Sequence, residues 1–63
     1  MTKKDYELIA KEIKAQINLT YQEEETQILV DLANSLAIRF IEENPRFNRD
    51  KFIEVCGIKE WKL

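Results

Sequence analysis

Apolar residues along this chain recur at spacings of three and four instead of alternating, and that rhythm belongs to helices. Tyr6, Ile9, Ala10, Ile13 and Ile17 form one stripe, with Glu7 and Lys11 four apart on the outer side in the favourable order. The stripe predicts a first helix over roughly 3–18, and Thr2 followed by Asp5 resembles a capping box at its start. A longer helix is predicted over roughly 21–43. Thr20 with Glu23 repeats the cap signature there, and Glu23, Glu24 and Glu25 load the positive helix end with negative charge. Leu29, Leu32, Ala33, Leu36, Ala37 and Phe40 are its main apolar stripe, spanning a sector of roughly 140° at 100° per residue. Asn44-Pro45 ends it, because proline disfavours helical backbone in the residue before it. A short third helix follows, with Asn48 as N-cap and Phe47 stapled onto Phe52. Phe52, Ile53 and Val55 supply its buried side, and Gly57 sits where a left-handed stop is needed, with Ile58 folding back on Ile53.

The expected fold is therefore all-α: one three-helix domain, short, long, then short and capped. At 63 residues the chain is near the lower limit for unaided folding, where disulfides, metals, tight packing or self-association must help. Cys56 is the only cysteine, so an intrachain disulfide is impossible and a reducing compartment is the natural home. Histidine is absent, and a single thiol builds no structural zinc site. Packing or self-association is left. The apolar share of 44% and charged share of 35% describe a folded core under a densely charged surface. Apolar runs reach only three residues, among them Ile28-Leu29-Val30 and Leu36-Ala37-Ile38, too short for a signal-peptide core or a membrane span. The net charge of −2 offers no general attraction to nucleic acid or anionic lipid. A cytosolic protein without membrane contact is expected.

Catalysis is not expected, and neither is a metal or cofactor. Acid–base and nucleophilic chemistry draw on histidine, or on a nucleophile beside a base. Ser35, the only serine, falls mid-helix, and Cys56 falls at a helix C-terminus, whose polarity opposes a thiolate. One glycine cannot make a phosphate-cradling loop, and no calcium loop is present.

Two surfaces remain as candidates. Val30, Asn34, Ala37, Ile38 and Ile41 form a second stripe on the long helix, beside or opposite the main one. Ile38 stands about 180° from Leu29, so one small core does not easily hide both. The expectation is a homo-oligomer, with the long helices paired antiparallel and Asn34 fixing their register. The other surface is basic: Arg46, Arg49 and Lys51 cluster around the bend, with Lys59 and Lys62 nearby in sequence. It could hold an anion (a nucleotide or a nucleic-acid backbone) or stay a solvated helix end. Trp61 and Leu63 either cover the core or anchor a partner. A helix-turn-helix reading is disfavoured, since the long helix is about twice the usual length and the acidic balance opposes phosphate binding.

The opening Met1-Thr2-Lys3-Lys4-Asp5-Tyr6-Glu7-Leu8-Ile9-Ala10 and the closing Asn44-Pro45-Arg46-Phe47-Asn48-Arg49-Asp50-Lys51-Phe52-Ile53-Glu54-Val55-Cys56-Gly57 resemble small proteins encoded by tailed phages and prophages. The resemblance covers about 24 of the 63 residues, and Asn48 stands where that pattern more often has aspartate, a change that keeps the cap. It implies a phage origin and the host cytoplasm, more than any one activity. The leading expectation is a non-catalytic accessory protein that binds a host or phage protein, for instance inhibiting a host-defence complex such as a CRISPR effector. The alternatives are a binder of anionic ligands through Arg46 and Arg49, and a structural or assembly role in the virion.

Overall fold

The computed structural model of the chain describes residues 1–58. Within them the protein is all-α, with three helices and no strand: α1 (Lys3–Leu19), α2 (Glu23–Glu43) and α3 (Arg49–Val55), each touching the other two. Trp61, with Lys59, Lys62 and Leu63, lies outside the described residues.

Local sequence explains most of the helix ends. At the start of α1 the Asp5 carboxylate accepts from the Thr2 backbone N–H at 2.9 Å, while the Thr2 hydroxyl accepts from the Asp5 N–H at 3.3 Å. Two of the four free donors at a helix start are thereby satisfied reciprocally. The Asn48 side chain accepts from the Lys51 N–H at 3.0 Å, and the Phe47 and Phe52 rings sit 5.5 Å apart, so cap and staple act together on α3. At the other end of α3, Ile58 N–H donates to the Ile53 carbonyl and Gly57 N–H to the Glu54 carbonyl, with Gly57 at φ 81°. That is the Schellman stop expected from Gly57, and it buries Ile58.

The start of α2 differs from expectation. The helix begins at Glu23, not Tyr21, and its N-cap is Gln22, without a side-chain cap hydrogen bond. Thr20 is already engaged as the C-cap of α1, where its hydroxyl donates to the Ile17 carbonyl at 2.7 Å and meets the Thr26 hydroxyl at 2.7 Å. One hydroxyl cannot also serve the start of α2, so that end relies on the charge of Glu23, Glu24 and Glu25.

The helices approach through small residues. Ala10 of α1, Ala33 and Ala37 of α2 and Cys56 after α3 are fully buried, with Tyr6, Ile13, Val30, Phe40 and Phe52 around them. Four rings from all three helices and the α2–α3 turn meet at one end: Tyr6 lies 4.8 Å from Phe40 and 4.6 Å from Phe47, and Phe40 lies 5.5 Å from Phe52. Tilted and edge-on aromatic pairs of this kind add about 0.5–1.5 kcal/mol each beyond the area they bury.

The buried face of α2 is also rotated from the expected one. Val30, Ala33, Ala37 and Phe40 are its buried residues, which shifts the centre by roughly 50° at 100° per residue. Leu29 and Leu36 are left half-buried on one margin, and Leu32 is 47% exposed. The cause is α3, which packs on the Val30–Asn34 side and draws that flank inward; Arg49 of α3 reaches Asn34 at 3.5 Å.

Candidate binding surfaces

A groove of about 450 Å³ runs between the first turns of α1, the α2–α3 turn and α3. Its floor is apolar: Tyr6, Ala10, Phe47, Phe52 and Val55. Around this floor stand Lys3, Arg46 and Lys51, with Glu7 as the one carboxylate among the lining residues. Each cation is placed by a local device. Lys3 lies inside the Thr2–Asp5 box, and the backbone of Lys51 is held by the Asn48 cap. Arg46 sits inside a turn in which the Phe47 N–H donates to the Asn44 carbonyl at 2.9 Å and the Arg46 N–H donates to the Asn44 side-chain oxygen at 3.1 Å.

The expected basic cluster is therefore divided. Arg46 and Lys51 share the groove, but Arg49 does not line it. Residues two apart on a helix do not face each other, so Lys51 and Arg49 leave α3 on opposite sides. Arg49 is half-buried against α2, where its guanidinium donates to the Asn34 side-chain oxygen at 3.5 Å and its Nε is buried without a partner among the described residues. Lys3, which sequence reading missed as a member, takes its place. Lys3 and Arg46 lie far apart in sequence, and the return of α2, which sets Phe40 4.8 Å from Tyr6, brings the α2–α3 turn beside the start of α1.

The expected long-helix interface is likewise divided. Val30 and Ala37 are core residues, 6% and 0% exposed, and cannot face a partner. Asn34 is committed internally: its amide donates to the Val30 carbonyl at 3.0 Å and its oxygen accepts from Arg49. Ile38 and Ile41 do reach the surface, at 54% and 37% exposure. By helical phase they stand on the flank that also carries Asp31 and Asn34. The opposite flank holds a longer apolar row, Ile28, Leu32 and Leu36, which sequence reading assigned to the core or passed over.

Protein-family models, curated proteins and solved structures were each compared with the chain, and none matches it. The functional reading therefore rests on the residues themselves.

Cys56 has no exposed surface, and burial pushes its thiol up from 9.0 to about 11. A protonated, enclosed thiol is a poor nucleophile near neutral pH. The Asp5 carboxyl is held below its ordinary 3.8, first by the hydrogen bond from the Thr2 backbone and then by the Thr2 side chain. That shift belongs to the helix cap and not to a reacting group. No described helix is long and apolar enough to cross a membrane. Chemically, the groove offers an apolar floor to a side chain and three cations, Lys3, Arg46 and Lys51, to an anionic group.

Proposed function

We propose that this protein is a non-catalytic accessory factor of phage origin that works by binding, and that its groove takes an acidic segment of a partner protein bearing an aromatic or aliphatic side chain. The observation that carries this reading is the meeting of Lys3, Arg46 and Lys51 over a floor of Tyr6, Phe47 and Phe52. The whole chain is acidic, with a net charge of −2. The positive potential is thus local, which suits a short acidic stretch better than a long polyanion such as nucleic acid. The floor adds apolar contact, so the preferred epitope mixes charge with a hydrophobic anchor. The phage origin is supported by the likeness of both chain ends to small phage proteins, and occlusion of a host-defence complex is one role that such a binder would serve.

The experiment is a titration of the purified protein, by calorimetry or fluorescence anisotropy, with acidic peptides centred on phenylalanine or leucine and, in parallel, with ATP. Binding of the peptide should weaken as salt rises, because rim charges are screened. Lys51→Glu or Arg46→Glu should weaken it roughly tenfold or more, while Arg49→Gln, on the far side of α3, should leave it within about twofold. ATP binding without peptide binding, or equal losses at Arg49 and Lys51, would sink the proposal.

A further inference from the structure

We infer that a second copy of this chain packs antiparallel against α2 along the Ile28–Leu32–Leu36 row, about a two-fold axis at Leu32. This is the flank away from α3, not the Ile38 side, and it is independent of the groove.

The row follows from helix phase. Ile28, Leu32 and Leu36 are spaced four apart on successive turns of α2, with Glu25 before them and Arg39 after them. At 100° per residue these five side chains fall within a sector of roughly 80°, centred roughly 120° from the buried face. Ile28 is 68% exposed, and Leu36 is half-buried at the margin of the core. The row is thus continuous with the hydrophobic interior at one edge and open at the other. An apolar stripe that narrow on a helix is the geometry of a paired-helix seam.

Charge selects the occupant. In an antiparallel self-pair centred on Leu32, each position meets the one equally far on the other side of residue 32. Ile28 then meets the partner's Leu36, Leu32 meets its own copy, and Glu25 meets the partner's Arg39. The seam closes with two opposite-charge pairs, one at each end, about 21 Å apart along the helix at 1.5 Å per residue. A parallel pair would set Glu25 against Glu25 and Arg39 against Arg39, so the ends specify direction as well as partner. Arg39 is available for this exchange. Its present contact with Glu42, at 3.7 Å, joins two side chains that are 80% and 62% exposed, and surface pairs of that kind contribute little. A two-fold interface needs one self-complementary patch, and this row is one.

Sedimentation equilibrium and light scattering across a concentration series test it, with far-UV circular dichroism as the check on folding. The wild-type chain should have the mass of a dimer. Leu32→Glu should give a folded monomer, since Leu32 is 47% exposed and outside the core. Glu25→Arg or Arg39→Glu alone should each raise the dimer dissociation constant about tenfold. The two substitutions together in one chain should return it to within about threefold of wild type, because every cross-seam pair is reversed at once. That rescue is specific to a second copy in this register. The inference is overturned if the wild-type chain stays monomeric at the highest concentration, if Ile38→Glu dissociates the dimer while Leu32→Glu does not, or if the double charge reversal fails to restore it.

Discussion

Replacing Gly57 by alanine should destabilise the protein by about 1 kcal/mol, and the figure can be built from its surroundings. Gly57 closes α3 at φ 81°, a conformation that costs an L-residue about 1–2 kcal/mol. Alanine also narrows the unfolded ensemble, which offsets about 0.4–1 kcal/mol of that cost. An added Cβ would lie 3.2 Å from Cγ of Lys14. Lys14 is an exposed, flexible side chain, so this contact yields at small cost. A backbone that instead relaxes out of the left-handed region gives up the hydrogen bonds from Gly57 and Ile58 and the burial of Ile58. For a chain of this size about 1 kcal/mol is a large share of total stability, and it lowers the melting temperature by roughly 4–8 °C. Urea unfolding followed by circular dichroism measures it. Gly57→Asn should cost less than Gly57→Ala, since asparagine tolerates the left-handed region better. Adding Lys14→Ala to Gly57→Ala should recover less than about 0.5 kcal/mol. If alanine matches glycine, or if Lys14→Ala restores the whole loss, the backbone argument is wrong.

Further predictions follow from two titrating groups. The Cys56 thiol is raised from 9.0 to about 11 in the folded state, so its contribution is fully present below pH 9.0 and is lost as pH rises towards about 11; urea midpoints should fall across that window, and should do so less in Cys56→Ala. Under native conditions Cys56 should react with a thiol reagent only as fast as the protein opens, and immediate stoichiometric labelling would contradict its burial. The Asp5 carboxyl is shifted the other way, below 3.8, so the stability it confers is present above pH 3.8 and lost as pH falls below it. Thr2→Ala should cost about 1 kcal/mol at neutral pH, and Asp5→Asn should flatten the acid limb of the stability profile; an unchanged acid limb would count against the reciprocal cap.

What could be read from the sequence was what depends on neighbours along the chain. The third helix needed only Asn48, the Phe47–Phe52 staple and Gly57, all within ten residues of each other, and each does what its type dictates. The start of α2 was misread because Thr20 can serve either adjacent helix, and the choice depends on Ile17 and Thr26, which pattern alone does not weigh. The phase of α2 was hidden for another reason. Apolar residues occupy more than half of its circumference, so which of them face inward is decided by where α3 lands. That single placement put Val30 inside and left Leu32 outside. The groove depended on how α2 and α3 both return to α1, since Lys3 has no local signal that ties it to Arg46 and Lys51.

The ring cluster has a consequence for how this chain tolerates change. Tyr6, Phe40, Phe47 and Phe52 come from the first helix, the second, the turn and the third, and every described segment except the α1–α2 loop contributes a ring. No pair of helices can complete that clasp without the remaining one, so a half-built protein keeps little of its benefit. Folding should therefore be all-or-none, and the sequence can drift at its surface far more freely than at these four positions. A locked hub with a permissive exterior lets the surface change without redesigning the frame.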